Sequence, residues 1–236
     1  NPLKATGRLI DQFVVPALTD PDHVAILVFS LLLGGMVGII ARNGGTMGIV
    51  ESVTPFARSA RRGKIATWAA GLAIFFDDYA NTLIVGNTMR PITDRLRISR
   101  EKLAYIVDST AAPVAALVPI STWVGYEISL ISDGLRIAAE QNPNGADVIL
   151  SQNPFDLFIQ TIPFLFYPLL ALLFVLMTSV MNRDFGPMAE AELRAATKGE
   201  LHRPGATLAT DTSSELMNPK KGLTYRWWNA ALPVLT

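Results

Sequence analysis

Long apolar stretches separated by charged connections dominate the chain. The apolar stretches cover residues 24–41, 65–89, 103–131 and 155–181. The first stretch runs for 18 residues without a charge, close to the minimum for a helix that crosses a hydrocarbon core. The pattern predicts an all-α, polytopic membrane protein with a transmembrane transport region over residues 23–181.

The segments outside this region are more polar. Residues 1–22 are predicted to form an external N-terminal segment, and they lack the basic and then apolar pattern of a signal peptide. Residues 182–226 are predicted to form a cytoplasmic loop with a short amphipathic helix over 187–198. Residues 227–236 begin with two tryptophans, a typical interfacial anchor, and predict the start of a further, truncated span. We therefore expect the chain to be a piece of a longer transporter.

The positive charges lie at particular positions along the chain. All 20 Lys and Arg residues lie outside the four apolar stretches. Residues 42–64 and 90–102 hold five each and residues 182–226 hold seven, whereas residues 132–154 hold only Arg136. By the positive-inside rule, the first three connections are cytoplasmic and 132–154 is external.

This assignment constrains the stretch 65–89. With 42–64 and 90–102 both inside, it must enter and leave the membrane on one face. Its 25 residues are too few for two full spans, which predicts a re-entrant helical hairpin with the polar run 77–82 at its tip. Such a tip is tolerated only when it is buried in protein or lines a wet cavity. The alternative is an ordinary spanning helix with 90–102 outside, against the charge rule.

The stretch 103–131 is also irregular. At 29 residues it exceeds a straight span, and Pro113 and Pro119 each remove a helix hydrogen bond. Polar side chains surround the expected break: Asp108, Ser109, Thr110, Ser121 and Thr122. Broken helices of this kind bind ions in secondary transporters. The alternative is a kinked packing helix whose hydroxyls bond to their own backbone.

Acidic residues are the ionisable groups within the apolar stretches. They are Asp77, Asp78, Asp108 and Glu127, with Asp156 at the edge of a span. Each costs at least ~2.5 kcal/mol at membrane depth, which marks it as a functional candidate. No Lys or Arg lies in these stretches, so the acids need protons, a bound cation or partners from other parts of the protein. Oxygen ligands of this kind suit a hard cation such as Na⁺.

Helix geometry selects among these residues. Asp78, Asn81 and Thr82 stand at i, i+3 and i+4 and are expected to share a face of the site. Asp77 is either a second ligand or the N-cap at the hairpin turn. Glu127 lies near the external end of its stretch, where it is either a ligand or solvated. The predicted ion- or substrate-binding residues are Asp77, Asp78, Asn81, Thr82, Asp108, Ser109, Thr110, Ser121 and Thr122. The predicted sodium ligands are Asp78, Asn81 and Asp108.

A long run of the chain resembles a known family. The run FFDDYANTLIVGNTMRPITDRLRISREKLAYIVDSTAAPVAALVPISTWVGYEI (75–128) resembles the NhaC-type sodium/proton antiporters, and ARNGG (41–45) and NRDFGPM (182–188) are similar to the same family. The resemblance implies a multi-pass carrier of a bacterial inner membrane, with inverted repeats, hairpins and broken helices. By matching position, it implies the polar core Asp77, Asp78, Asn81, Asp108, Ser109 and Thr110.

The acidic residues and the family resemblance together lead to an expected transport function. We expect alternating-access exchange of Na⁺ for H⁺ in pH homeostasis, with no enzymatic activity and no cofactor beyond the transported ions. Related members exchange organic anions or amino acids, which makes a cation-coupled exchanger or symporter of such substrates the alternative. An intramembrane aspartyl protease that uses Asp78 and Asp108 is a remote alternative, because its GxGD motif is absent.

Composition excludes several other classes. Twenty basic and 20 acidic residues cancel, so no net field attracts nucleic acid. The absence of cysteine excludes disulfide scaffolds, and two distant histidines do not suggest a histidine metal cluster. The expected partners are membrane lipid, Na⁺, H⁺ and the remaining transmembrane segments of the same protein. A homodimer is compatible with these expectations.

Overall fold

The computed structural model describes residues 7–206 and 223–235, where every regular element is helical. The helices are α1 (Val15–Thr19, after a π-helical turn at Ile10–Val14), α2 (Pro21–Arg42), α3 (Gly45–Val53), α4 (Ala60–Ala73), α5 (Asp78–Arg95), α6 (Arg100–Leu117), α7 (Thr122–Gln141), α8 (Ala146–Leu150), α9 (Pro154–Thr161), α10 (Phe166–Met181), α11 (Gly186–Lys198) and α12 (Trp228–Leu235). Short 3₁₀ turns lie at Thr54–Phe56, Pro143–Gly145 and Ile162–Phe164. The all-α expectation is confirmed for the described residues.

Two helical segments are long and apolar enough to cross a membrane. They are His23–Arg42 and Phe166–Lys198, and a third candidate is the broken pair α6 and α7. The second segment joins α10 to α11, but its backbone leaves the helical conformation at Asn182, where φ is 51°. Membrane-spanning helices are therefore compatible with the chain by length and composition.

The contacts divide the chain into two compact units. One unit contains the residues up to Gly35 together with Thr122–Phe164, where α7 packs against α8 and α9. Within it, Phe29 of α2 lies so close to α7 that a Cβ at Gly125 would be 3.1 Å from its ring. The other unit contains Met36–Ser121 and the chain from Leu165 onwards, including the predicted hairpin.

Helices α4 and α5 form an antiparallel hairpin. Ser59 caps α4 and Asp77 caps α5, each by accepting a backbone N–H three residues ahead. A Cβ at Gly63, near the start of α4, would lie 2.6 Å from Cδ1 of Leu96, just after α5 ends. The open ends of the two helices are therefore adjacent, and residues 74–77 form the turn at the opposite end. Re-entry into a membrane stays a prediction.

Helices α6 and α10 pack against this hairpin. Gly71 of α4 lies against Thr110 of α6. A Cβ atom added at Gly71 would lie only 2.1 Å from the Oγ1 of Thr110. Trp68 of α4 donates its indole N–H to the carbonyl of Leu172 in α10 at 3.2 Å. The core is formed by these residues: Ile40, Val50, Ala66, Ala70, Ile74, Phe76, Ala80, Ile84, Val85, Met89, Leu103, Val107 and Ala230.

Prolines interrupt two of the predicted intervals. The stretch 155–181, predicted as one span with kinks at Pro163 and Pro168, is divided into α9 and α10 by the turn Ile162–Phe164. Pro163 explains the interruption, because it supplies no N–H and clashes with the preceding helical turn. The stretch 103–131 is broken as expected, and the break lies at residues 118–121 around Pro119. Pro113 is accommodated inside α6.

The flanking segments contain helices too. The predicted amphipathic helix over 187–198 is present as α11, and residues 227–236 contain α12. The segment 1–22, which is predicted to be external, has residues 1–6 outside the described residues, and helical elements are present in its described part. Of the predicted cytoplasmic loop 182–226, residues 207–222 lie outside the described residues. The glycine turn at 44–45 separates α2 from α3, and Gly44 adopts φ 78°, a left-handed conformation that favours glycine.

Replacement of Gly71 by Ala should destabilise the unit that contains the hairpin. The new methyl group would overlap Thr110, so α4 and α6 must separate at a cost of about 1–3 kcal/mol. Gly86 of α5 is the matched control, because its Cβ position has open space and alanine favours a helix there by roughly 0.5–1 kcal/mol. Thermal unfolding in detergent, followed by circular dichroism, measures both. Equal melting temperatures for the two variants would contradict the close contact.

The hairpin geometry also predicts where its two open ends lie in a membrane. Cysteines placed at the exposed residues Arg61 and Arg97 should react with a membrane-impermeant maleimide from the same side. Right-side-out and inside-out vesicles provide the two measurements. Labelling from opposite sides would mean that α4 and α5 together cross the membrane.

Candidate functional site

The turn between α4 and α5 is fixed by buried apolar side chains. Ile74 and Phe76 are 0% and 1% exposed, so they hold the polar residues that follow them in place. Asp77 is extended, and its carboxylate accepts the backbone N–H of Ala80 at 2.7 Å. Of the two roles expected for Asp77, the structure shows the N-cap. Asp78 follows as the first residue of α5 and is half-buried.

Asn81 joins three parts of this unit. Its side chain is fully buried, and its amide nitrogen donates to the carbonyls of Gly71 at 2.6 Å, Ile74 at 3.0 Å and Thr110 at 3.1 Å. The first two carbonyls lie at the C-terminal end of α4, where helix carbonyls have no intrahelical donor. The amide therefore caps α4 from the next helix and fastens α6 to the same point.

The oxygen of the same carboxamide has no hydrogen-bond partner among the residues that the structure describes. Three carbonyl oxygens surround the nitrogen, and only the NH₂ group can donate to them, so the orientation of the amide is determined. Within residues 7–206 and 223–235, Oδ1 is therefore a buried acceptor without a hydrogen bond. Buried polar atoms are normally paired, which marks this oxygen as a candidate ligand atom.

The hydroxyl groups in this region bond mostly to their own helix. Thr110 donates to the carbonyls of Ile106 at 2.9 Å and Val107 at 3.1 Å, and Ser121 donates to Ala115 at 2.7 Å. Hydroxyls bonded to their own backbone agree with the kinked packing helix that is the alternative for this stretch, whereas the break at residues 118–121 agrees with the expected broken helix. The hydroxyls of Thr110 and Ser121 are therefore already engaged as donors.

Other predicted site residues are not brought to Asn81. The common face of Asp78, Asn81 and Thr82 stays a prediction, and its members differ in exposure: Asn81 is buried, Asp78 is half-buried and Thr82 is exposed. The physical reason is that neighbouring helix positions point about 100° apart, and Asn81 is turned towards α4 and α6. Asp108 is also exposed, although Ser109 and Thr110 beside it are buried.

The three predicted sodium ligands also differ in exposure. Asn81 is buried where α4, α5 and α6 meet, which is called the Asn81 junction below, whereas Asp78 is half-buried and Asp108 is exposed. Within the part of the chain that the structure describes, no three His, Asp or Glu side chains converge in a metal-binding arrangement.

Two further predicted residues belong to α7. Thr122 is its first residue and is half-buried. Glu127 lies five residues later, and its Oε2 is a buried atom that accepts no hydrogen bond from the described part of the chain. Glu127 thus keeps a free acceptor of the kind that a cation or proton can occupy.

A groove of about 550 Å³ lies between α6 and α10. Its lining consists of Tyr105, Ser109, Tyr167, Leu170, Ala171, Leu173, Phe174 and Met177. None of these side chains carries a positive charge, so the groove supplies no charged partner for a carboxylate or phosphate. Its chemistry is that of an apolar surface with three hydroxyl groups.

An ion-pair network at the open end of the hairpin was not anticipated from the sequence. Lys64 of α4 and Lys102 of α6 are 2% and 0% exposed. Lys102 donates to Asp184 at 2.6 Å and to the hydroxyl of Thr178 at 3.0 Å. Lys64 lies 3.7 Å from the same aspartate. One carboxylate therefore holds lysines from two helices.

Helix α11 completes this network. Glu192 forms an ion pair with Lys64, and its other oxygen accepts both the backbone N–H and the hydroxyl of Ser99 at 2.8 Å. Asn182 accepts a further bond from Lys64 at 3.0 Å. Removal of one member of such a buried set leaves an uncompensated charge, at a cost of about 3–5 kcal/mol.

One sequence signal could have revealed these lysines. Lys102 is the third residue of α6, and Lys64 lies close to the start of α4. A cation near a helix N-terminus faces the positive end of the helix dipole, so it needs a nearby acid. Asp184, in the NRDFGPM turn that resembles the antiporter family, is that acid.

Comparison with known proteins gives little functional information. No family model and no solved structure matches the chain. A Haemophilus influenzae protein described as "Uncharacterized protein" is 32% identical over 181 residues, which cover 76% of this chain and 33% of that relative. The chain thus spans about a third of the length of this relative. The resemblance to NhaC-type antiporters stays a prediction.

Replacement of Asn81 by Leu should destabilise the junction by about 3 kcal/mol. Leucine has a similar size but cannot donate to the carbonyls of Gly71, Ile74 and Thr110, and buried groups left unpaired cost about 1–3 kcal/mol each. Thr82→Val, at the exposed neighbouring position, should change stability by less than about 0.5 kcal/mol. Denaturant unfolding in detergent gives both values, and equal effects would argue against the capping role.

Proposed function

We propose that the chain forms part of a secondary active transporter of a bacterial inner membrane that exchanges Na⁺ for H⁺. The observation that carries the proposal is the turn of the α4–α5 hairpin. There, the fully buried oxygen of Asn81 accepts no hydrogen bond from the described residues, and Asn81 follows Asp77 by four positions and Asp78 by three. The resemblance of residues 75–128 to NhaC-type antiporters supports the same activity.

The chemistry of this turn suits a small hard cation. Carboxylate and carboxamide oxygens are preferred ligands of hard cations, and a carboxylate can release Na⁺ and take up H⁺ at the same oxygen. We assign Asn81 Oδ1 and the carboxylate of Asp78 to the cation, with Asp77 held as the cap of α5. Remaining ligands come from elsewhere in the full-length protein, since no three acidic or histidine side chains converge in the described ranges.

Exchange requires that the empty, charged carrier reorients poorly. A bare carboxylate at membrane depth is costly, whereas a sodium- or proton-loaded carboxylate is neutral. Movement of the hairpin in either loaded form would expose the site alternately to the two faces. Because only the loaded carrier reorients readily, inward movement of one ion is coupled to outward movement of the other.

Exchange of an organic acid or amino acid is the less favoured alternative. An anionic substrate needs a positive side chain or free helix N-termini at its site. The groove between α6 and α10 has no positive residue in its lining. Lys64 and Lys102 are already paired with Asp184 and Glu192, so neither is free to bind an anion.

Transport by the full-length protein in energised inverted vesicles tests the proposal. Addition of NaCl should dequench a pH-sensitive dye, and KCl should not. Asp78→Asn removes the carboxylate assigned to the cation and should abolish the response. Asp133→Asn, at a solvent-exposed ion pair on α7, is the matched control and should transport normally.

Two outcomes would contradict this assignment. A sodium response that survives Asp78→Asn would exclude this carboxylate from coupling. Active protein that responds to an organic acid or amino acid, and not to sodium, would replace antiport by the alternative exchange.

A further inference from the structure

The segment 182–203 crosses the open end of the helix hairpin. It begins at the turn after α10, continues through α11 and ends beside α6. Its polar contacts reach both α4 and α6: Asp184 and Glu192 bind Lys64, and Asp184 also binds Lys102. The segment therefore connects two helices that run in parallel from this end towards the Asn81 junction.

Further hydrogen bonds and an ion pair attach the second half of the segment to α6. Arg194 pairs with Glu101 at 2.6 Å, and the same carboxylate accepts the backbone N–H of Arg203 at 3.0 Å. The backbone N–H of Arg100 donates to the carbonyl of Leu201 at 2.8 Å. Every partner in this set belongs to the first turn of α6 or to the segment itself.

The apolar part of the same contact is small. The buried residues of α11 are Ala191 and Ala195, and Phe185 before it meets the ring of Phe174 edge-on at 5.6 Å but stays 66% exposed. Two alanine side chains remove little apolar surface from water, in contrast to the large side chains of the core around Asn81. Charged and hydrogen-bonded pairs therefore provide most of the attachment. Such pairs are directional, and water can replace them when the segment moves away.

The distance from the hairpin turn makes independent movement feasible. Lys64 and Gly71 are seven residues apart on α4, which corresponds to roughly 10 Å along a helix. Lys102 and Thr110 are eight residues apart on α6, roughly 12 Å. The polar contacts of segment 182–203 and those of Asn81 share no residue.

We propose that segment 182–203 is a releasable strap. Its ion pairs to Lys64 and Lys102 hold it closed over the open ends of α4 and α6, and it opens as a unit while the Asn81 junction remains packed. The strap controls whether water and dissolved molecules reach the buried surfaces at the open ends of the helix cluster formed by α4, α5 and α6. The proposal does not depend on the identity of the transported substrate.

Cysteine accessibility tests the proposal, because these 236 residues contain no cysteine. Ala195→Cys places a thiol at a position of 0% exposure inside the strap, and Ala70→Cys places one at 0% exposure in α4. Each is introduced into the full-length protein in membrane vesicles. Reaction with a hydrophilic maleimide is followed by peptide-resolved mass spectrometry, so that other cysteines do not interfere.

Weakening the ion pairs should raise labelling in the strap alone. Lys102→Met and the milder Glu192→Gln should each increase labelling at position 195 by roughly tenfold or more, since an unpaired buried charge shifts the equilibrium towards the open strap. Labelling at position 70 should not change. Arg136→Met, which breaks an exposed pair on α7, is the matched control and should leave both rates unchanged.

A double variant separates loss of the ion pair from general damage. Lys64→Met combined with Glu192→Gln should raise labelling at position 195 by less than the product of the two single effects, because both changes break the same ion pair. Unchanged labelling at position 195 in the weakened variants would overturn the proposal. A parallel rise at positions 195 and 70 would also overturn it, because the network would then hold the whole helix cluster.

Discussion

The hydrogen bonds from the amide of Asn81 are the interaction on which the described site depends. A helix hairpin inside a protein leaves carbonyl groups at the end of its first helix, and these groups must be paired. Asn81 pairs two of them and a third on α6, so one side chain ends α4, positions α5 and attaches α6. The contact of Gly71 with Thr110 is possible only because no side chain separates the two helices at this level.

The two ends of this helix cluster are held by different forces. At the turn, large apolar side chains such as Phe76 and Ile74 surround the hydrogen bonds of Asn81. At the open end, Lys64 and Lys102 are buried against the carboxylates of Asp184 and Glu192. Apolar packing keeps a single arrangement, whereas a charged network can exchange partners with water. The cluster therefore combines a fixed end with one that is suited to movement.

Single residues explain where sequence-based prediction succeeded and where it did not. The helix break near Asp77 was predictable, because a run of polar residues interrupts an apolar stretch between two basic connections. Helical spacing predicts a common face for Asp78, Asn81 and Thr82, but it does not specify which of them packs inward, and Asn81 is the buried one of the three. The stretch 155–181 was predicted to kink at Pro163, whereas the helix ends there, since a proline can bend a helix or end it, and its neighbours in space decide which.

The sequence by itself determined the helical class, the positions of the apolar stretches and the residues that can carry ion chemistry. These properties follow from local composition and from the cost of placing charge among apolar residues. Only the tertiary structure decided that Asn81 faces three carbonyls while Thr82 and Asp108 are exposed. It also decided that Lys64 and Lys102 share Asp184, since contacts between residues about 80 to 120 positions apart depend on how the helices pack and leave no local pattern in the chain.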